Sequence, residues 1–160
     1  MVWRIYGARF ESVELANTNV FNNFTPTKNI LLLGIRTWII INNNTSYSNL
    51  SMDIYSNDDD DGTDAPGVVI ASSTNNWQPS EIATEDYAAK EIYFDFDNIP
   101  LNEATKYNLV LKADGYVYTS TSFLAWRKAW PDPIYRAGYT PTIPNMGRAP
   151  YEVSFIGAEF

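Results

Sequence analysis

Apolar and polar side chains alternate residue by residue along most of this 160-residue chain. Successive side chains of a strand point to opposite faces of a sheet, so a period of two predicts strands that each bury one face. The alternation is clearest at 2–10, 31–41, 50–54, 92–96, 107–111 and 151–160. In the long apolar run one parity carries the large residues, so we expect a single buried face formed by Leu31, Leu33, Ile35, Ile39 and Ile41.

Clusters of Asn, Asp, Gly, Pro and Ser separate these runs, as expected for turns between short strands. No segment keeps a helical period over three turns, although 79–90 could form one or two turns of helix. There is no internal repeat and no boundary between domains. The pattern predicts an all-β protein with a single domain over 1–160, folded as an antiparallel sandwich or barrel.

The last thirty residues differ from the rest of the chain. The segment 131–150 contains five prolines and few alternating apolar pairs. Because proline stiffens the backbone and removes a hydrogen-bond donor, we expect an extended segment lying over the sandwich or over a neighbour. Apolar and polar residues alternate again at 151–160, as they do at 2–10. This similarity predicts that the first and last strands pair in one sheet.

Composition excludes several kinds of chemistry. The chain has neither Cys nor His, which removes disulfides, thiolate chemistry and His-based triads and makes a zinc site improbable. A net charge of −8 disfavours nucleic-acid binding. No secretory signal pattern is found and the longest apolar run is too short and polar to span a bilayer, so we expect no membrane partner.

The order of strands and turns from 30 to about 140 resembles that of a known kind of β-sandwich module. A long apolar strand is followed by LSMDIYSNDDDDGTDAPG, VVIASS, EIYFDFDNIPLNEATKYNLVLKADG and WPDPIYRAGYT. This order resembles the jelly-roll β-sandwich modules of phage virion proteins and of bacterial extracellular, carbohydrate-binding-like proteins. The matching positions are Leu101, Thr105, Tyr107, Leu109, Leu111, Trp126, Tyr135 and Gly138.

The resemblance implies an antiparallel jelly-roll sandwich and no fixed set of functional residues. It covers about two thirds of the chain and is a pattern of strands and turns. Related modules have more glycine in the turn before the tyrosine, where this chain has Asn-Glu-Ala-Thr at 102–105.

An acidic stretch, NDDDDGTDAPG at 57–67, is the first candidate for chemistry. Asp59, Asp61 and Gly62 match positions of a calcium-binding EF-hand loop, but its twelfth position is Val68 instead of Glu. Adjacent aspartates in a turn cannot all face one ion. We therefore favour a solvated loop between two paired strands, with weak calcium binding at Asp59 and Asp61 as the alternative.

Paired carboxylates and glycosylation sequons are two further candidates. Glu91, Asp95 and Asp97 share one parity, opposite to the apolar residues of the same run, so we expect them to face solvent instead of forming a glycosidase pair. Sequons begin at Asn23, Asn43, Asn44 and Asn49, and we interpret them as asparagine-rich turns.

Aromatic residues are the remaining candidates, since they make up 15% of the chain. Trp, Tyr and Arg dominate the energetics of protein interfaces, and aromatic rows can also stack on sugars. Core packing, a protein interface and glycan stacking therefore all remain open for Trp77, Tyr116, Tyr118, Trp126, Trp130, Tyr135 and Tyr139. The residues selected as interface or glycan contacts are Trp77, Trp126, Arg127, Trp130, Tyr135 and Tyr139.

These features favour a non-enzymatic structural protein of a bacteriophage virion, foremost a capsid decoration (cement) protein that stabilises the head. It would be assembled in the host cytoplasm without disulfides, bind the major capsid protein or other virion proteins, and form a homo-oligomer. No cofactor is expected. The alternatives are a carbohydrate-binding or receptor-binding sandwich module, in a tail accessory or adhesion role, and an adhesion module weakly stabilised by calcium.

Overall fold

The computed structural model describes residues 2–4, 8–14, 19–41, 47–58, 65–82, 89–116, 124–129, 146–148 and 153–160. Within these ranges the chain forms eleven strands and one helical turn. The strands are β1 (Val2–Arg4), β2 (Ala8–Glu14), β3 (Asn19–Phe24), β4 (Ile30–Ile41), β5 (Asn49–Asp58), β6 (Ala65–Ser72), β7 (Lys90–Leu101), β8 (Tyr107–Asp114), β9 (Leu124–Ala129), β10 (Met146–Arg148) and β11 (Val153–Glu159). The turn of helix, α1, is Pro79–Ile82, at the start of the predicted helical segment.

The strands form two sheets, which confirms the predicted all-β antiparallel sandwich. In the first sheet β4 pairs with β7 on one side. On its other side β4 pairs first with β11 and then with β9. Beyond these two strands, β1 pairs with β11 and β2 pairs with β9. The second sheet has the order β10-β3-β8-β5-β6. Among the described strands every pairing is antiparallel except that of β10 with β3. The jelly-roll connectivity stays a prediction.

The first and last strands pair as predicted, with Val2 opposite Ile156 and Arg4 opposite Ser154. The proline-rich segment 131–150 falls mostly outside the described residues. Its only described part is β10, which adds to the second sheet beside β3.

The core lies between the sheets and takes side chains from both. The alternation correctly predicted its buried residues in three strands: Leu50, Met52, Ile54, Ile92, Phe94, Phe96, Tyr107, Leu109 and Leu111. Phe24 of β3 contacts both Tyr107 and Phe155, with ring centroids 5.6 and 4.6 Å apart. These contacts join the second sheet to β11 of the first.

The predicted parity of β4 is wrong in its first half. A register shift between Leu32 and Gly34 places a bulge at Leu33, so Leu32 is buried while Leu33 is 41% exposed. Leu31, expected on the buried face, is half-buried. A bulge inserts one extra residue and so exchanges the two faces of the strand, which alternation alone cannot reveal. After the bulge Ile35, Ile39 and Ile41 are buried as expected.

The turn between β7 and β8 contains a residue in a conformation that glycine usually adopts. Ala104 has a φ of 57°, in the left-handed region that glycine adopts most easily. Its amide donates to the carbonyl oxygen of Pro26, and the amide of Asn102 donates to the Tyr107 hydroxyl. These hydrogen bonds hold a conformation that alanine does not favour by itself.

The second sheet also buries part of its other face, in β5 and β8, which alternation did not predict. Asn108 and Val110 are buried although they alternate with the core residues Leu109 and Leu111. Asp53 is buried beside them, opposite Val110, and accepts a hydrogen bond from Lys112 at 2.8 Å. A buried carboxylate requires such a partner, because desolvating an unpaired charge is costly.

Candidate functional site

The six residues selected from the sequence are not brought together by the described part of the structure. Trp126 and Arg127 lie in β9, where they pair with Val13 and Ser12 of β2. Trp130, Tyr135 and Tyr139 lie outside the described residues. A joint aromatic surface made of these residues therefore stays a prediction.

For Trp77 the structure favours core packing. Its side chain is half-buried against the core, and its indole Nε1 donates to the carbonyl oxygen of Tyr93 at 2.9 Å. Its backbone forms a bridge with Leu50, through two hydrogen bonds of 3.0 Å. Tyr116 is likewise buried, and its hydroxyl accepts a hydrogen bond from the Leu124 amide. Tyr118 lies outside the described residues.

The carboxylates of β7 face solvent, as predicted. Glu91, Asp95 and Asp97 are exposed and alternate with buried apolar residues. Glu91 forms an ion pair with Arg36, at 3.4 Å. Within the described ranges no group of three or more acidic side chains could hold a metal ion. Asp59 and Asp61 lie outside these ranges, so calcium binding there stays a prediction.

The sequons that the structure describes lie in strands, so their interpretation as turns is wrong. Asn23 belongs to β3, where its amide donates to the Asn108 side chain at 2.9 Å. Asn49 is the first residue of β5 and accepts a hydrogen bond from Gln78 at 2.8 Å. Asn43 and Asn44 lie outside the described residues.

The outer edge of β7 is covered by the segment 73–77, which we call the edge cap. The Asn75 side-chain amide donates to the carbonyl oxygen of Tyr93 at 2.9 Å and accepts from the amide of Asp95 at 2.7 Å. The Thr74 amide donates to the carbonyl oxygen of Asp95 at 2.9 Å. The Asn75 side chain thus replaces the backbone of a neighbouring strand, which satisfies polar groups that an edge strand leaves open.

The edge cap also holds the second sheet. The Ser73 amide donates to the carbonyl oxygen of Met52, and the Ser73 hydroxyl accepts from the amide of the same residue. Because the edge cap continues directly from β6 and reaches Asp95 of β7, it joins the two sheets along one side of the sandwich. This side therefore carries both the edge of β6 and the edge of β7.

The edge of β6 is different, because it exposes a run of apolar side chains. Val68 is 71% exposed, Val69 is 50% exposed and Ile70 is 43% exposed. We call these three residues the β6 patch. β6 pairs with β5 on one side and is the last strand of its sheet among the described residues. Exposed apolar residues that adjoin on an edge strand are typical of a surface that binds another chain.

Sequence reasoning treated this stretch only as a short strand. The signal available was VVI, which follows Pro66 and Gly67 directly. Three consecutive apolar residues indicate a strand buried on both faces as readily as an exposed edge. Only the sheet order places them at the edge.

Burial, with a smaller contribution from Asp95, raises the pKa of the Tyr93 hydroxyl, and two further groups among the described residues have shifted pKa values. The hydrogen bond from Lys112 to Asp53 raises the pKa of Lys112 above its usual value. Burial, with a smaller contribution from Glu81, raises the pKa of the Tyr47 hydroxyl. Among the described residues this hydroxyl is buried without a hydrogen-bond partner. Both shifts arise from packing and pairing inside the fold.

Comparisons of this chain with protein-family models, with curated proteins and with solved structures gave no match. The function is therefore inferred from the residues of this chain. Across the described ranges, no helix is both long enough and apolar enough to cross a membrane.

Proposed function

We propose that this chain is a non-enzymatic structural protein that docks onto other proteins of a larger assembly. In its specific form the proposal is a bacteriophage capsid decoration protein, which binds the major capsid protein and stabilises the head of the virion. The resemblance of its strand and turn order to phage virion modules supports this form.

The observation that carries the proposal is the exposed β6 patch, which lies on the same side of the sandwich as the edge of β7 that the edge cap covers at Tyr93 and Asp95. Covering apolar surface with a partner is favourable by about 25 cal/mol per Å². An edge strand can in addition pair its backbone with an extended segment of that partner. At the neighbouring edge of β7, backbone groups of Tyr93 and Asp95 are hydrogen-bonded to the edge cap. A partner would therefore bind at the edge of β6 instead of the edge of β7.

The test uses bare capsids of the phage whose genome encodes this chain. The purified protein is cosedimented with the capsids over a range of concentrations, and the same preparation is applied to a glycan array. Saturable binding with a fixed number of copies per capsid, and no sugar signal, is the expected result.

Two results would overturn the proposal. Absence of saturable binding to capsids would exclude decoration. A sugar signal that Trp126→Ala abolishes, without capsid binding, would replace it with a carbohydrate-binding module.

A further inference from the structure

Tyr93 lies on the outer face of the first sheet, with its ring over a glycine. It is half-buried and alternates with the core residues Ile92 and Phe94 of β7. A Cβ atom built on Gly34 of β4 would collide with the hydroxyl oxygen, Cζ and Cε2 of Tyr93. The relative distances of these three atoms place that Cβ above the plane of the ring instead of in it. One face of the ring therefore covers Gly34, and the other face points away from the sheet.

The position of Tyr93 is fixed by its neighbours. Its carbonyl oxygen accepts hydrogen bonds from the Asn75 side-chain amide and from the Trp77 indole, each at 2.9 Å. Arg36 is directly opposite Tyr93 in the pairing of β4 with β7, so Gly34 is its diagonal neighbour, within reach of an aromatic side chain. Because the residue is already held in place, binding through its ring costs little conformational freedom.

The Asp95 carboxylate lies beside this ring. It is exposed on the same face of β7, two residues from Tyr93 and directly opposite Gly34. Burial first, and then the nearness of Asp95, raises the pKa of the Tyr93 hydroxyl, while Arg36 acts in the opposite direction. Within the described ranges no cation forms an ion pair with Asp95. The outward ring face of Tyr93 and the Asp95 carboxylate thus form one surface, which we call the Tyr93 platform.

Arg36 is engaged elsewhere. Its guanidinium forms an ion pair with Glu91, with 3.4 Å between Nε and Oε1. Glu91 and Asp95 lie on opposite sides of Tyr93 along β7, so this ion pair draws Arg36 away from Asp95. Among the described residues no second ring and no cation stacks on the ring of Tyr93. The ring face and the negative charge of the Tyr93 platform are therefore available together.

A guanidinium group complements both parts of the Tyr93 platform. Its planar face can stack on a tyrosine ring, whose π-electrons attract cations, and its edge can form two parallel hydrogen bonds with a carboxylate. The ammonium of lysine is a compact, strongly hydrated charge without this planar geometry. The net charge of −8 also favours a cationic partner over an anionic one.

We propose that the Tyr93 platform binds an arginine side chain of a partner protein. The guanidinium would stack on the outward face of the Tyr93 ring and pair with the Asp95 carboxylate. This contact uses the outer face of β7 and is separate from its edge, which the edge cap covers. The inference rests on the proposed docking function and names a residue type of the partner.

The test measures the binding of three capped peptides by chemical-shift titration of the isotope-labelled full chain. The peptides are SGRGS, SGKGS and SGXGS, where X is the uncharged analogue citrulline. We expect the arginine peptide to bind at least about fivefold more tightly than the citrulline peptide and at least about twofold more tightly than the lysine peptide. Its affinity should fall between about 0.05 M and about 0.5 M salt, and the amide signals of Gly34, Tyr93 and Asp95 should shift.

Variants of the protein separate the two parts of the Tyr93 platform. Tyr93→Leu removes the aromatic face and Asp95→Asn removes the charge, and each should weaken binding of the arginine peptide at least about fivefold. Asp97→Asn is the matched control, because it removes the next exposed carboxylate on the same face of β7. This control should bind within about twofold of the unmodified protein. Circular dichroism verifies that each variant is folded.

Several results would overturn the inference. They are equal affinity for the arginine and citrulline peptides, no binding of any peptide, or binding that Asp95→Asn leaves unchanged. A response of the same amide signals to a neutral oligosaccharide, without a response to the arginine peptide, would assign the Tyr93 platform to sugar stacking. Dimerisation of the unmodified protein in sedimentation equilibrium that Asp95→Asn abolishes would assign the platform to an arginine of a second copy.

The capsid assay separates this inference from the proposed function. If Asp95→Asn and Tyr93→Leu bind capsids as tightly as the unmodified protein does, the inference fails while the decoration role stands. If the arginine peptide binds at the Tyr93 platform but capsids do not bind, the recognition of arginine stands and the decoration role fails.

Discussion

The edges of β6 and β7 lie on the same side of the sandwich, yet they are completed in opposite ways. At β7 the polar backbone groups of Tyr93 and Asp95 are paired with Asn75, Thr74 and Trp77. At β6 the chain places Val68, Val69 and Ile70 in solvent. One edge is closed by the protein's own side chains, and the other presents apolar surface that the fold does not use.

This difference separates residues that stabilise the fold from residues that are available for binding. An exposed apolar edge promotes unwanted pairing with other chains, and proteins commonly block such edges. Here a nearby edge is blocked with a dedicated segment. The edge of β6 carries instead Pro66 and two register shifts in its pairing with β5, together with the exposed β6 patch on which the proposed docking function rests. The comparison makes quantitative predictions, because changes at the edge cap should affect folding and changes at the β6 patch should not.

The largest effect is expected for Trp77→Ala in the edge cap. The substitution removes a large side chain packed against the core together with its hydrogen bond to Tyr93. It should lower the free energy of unfolding by about 3 kcal/mol in chemical denaturation. Val68→Ala is the control on the open edge and should change it by less than about 0.5 kcal/mol. Equal losses in the two variants would contradict the comparison.

The next largest effect on the free energy of unfolding is expected for the ion pair between Asp53 and Lys112, beside β6. Asp53 pairs with Ser72 at the end of β6 and is buried with its carboxylate bound to Lys112. Lys112→Met leaves this carboxylate without its cation and should lower the free energy of unfolding by about 2 to 3 kcal/mol.

The matched control for Lys112 is Lys28, whose ion pair with Glu159 is solvent-exposed at 2.9 Å. Lys28→Met should lower the free energy of unfolding by less than about 0.5 kcal/mol. A loss for Lys112→Met as small as that of the control would show that Asp53 finds another partner.

A smaller effect is expected for Asn75→Ala, which removes both side-chain hydrogen bonds to β7. We expect the free energy of unfolding to fall by about 1 to 2 kcal/mol, because backbone groups of Tyr93 and Asp95 lose their partners. The neighbouring Asn76 is exposed and has no side-chain hydrogen bond within the described part of the chain. Asn76→Ala should therefore stay within about 0.5 kcal/mol, and a similar loss in both variants would refute the role of Asn75.

The next prediction concerns Tyr47, which lies near Glu81 in the helical turn that follows the edge cap. Among the described residues its buried hydroxyl has no hydrogen-bond partner, so Tyr47→Phe should raise the free energy of unfolding by up to about 1 kcal/mol. The raised pKa means that the folded state holds the phenolic proton more tightly than the unfolded state does. Below about pH 10 the phenol is protonated in both states, so its titration does not change the free energy of unfolding. As the pH rises further, deprotonation in the unfolded state lowers the free energy of unfolding.

Denaturation curves at neutral and alkaline pH check this prediction. Tyr47→Phe should show a shallower loss of stability above about pH 10 than the unmodified protein. An unchanged alkaline slope would show that the hydroxyl does not contribute to it.

The smallest effect is expected at the β6 patch. Val69→Lys and Val69→Thr should each change the free energy of unfolding by less than about 0.5 kcal/mol, because the side chain is half in solvent. Thermal unfolding followed by circular dichroism measures this change. A loss comparable to that of Trp77→Ala would mean that β6 is needed for folding, and the contrast between the edges would fail.

Much of the fold could be predicted from alternation, because most strands bury a single face. The buried residues of β5, β7 and β8 and the pairing of the terminal strands followed from this pattern. Two features did not follow. The bulge at Leu33 reverses the parity of β4 for a geometric reason that side-chain type does not encode. The burial of Asn108 and Val110 depends on what covers the sheet, which is a tertiary property.

The candidate site was harder to predict. Attention to aromatic residues selected Trp77, which the structure places in the edge cap and against the core. The β6 patch consists of small β-branched residues whose exposure depends on the order of strands in the sheet. That order is set by contacts between distant segments, so local composition could not distinguish a central VVI from an edge one.

The pairing of β11 with both β1 and β4 has a consequence for how the protein is made. During translation β4 emerges long before residues 153–159, and until then one of its flanks lacks its neighbour. The first sheet can therefore close only after residue 159 has left the ribosome, and a nascent chain stalled before that point should remain sensitive to proteases.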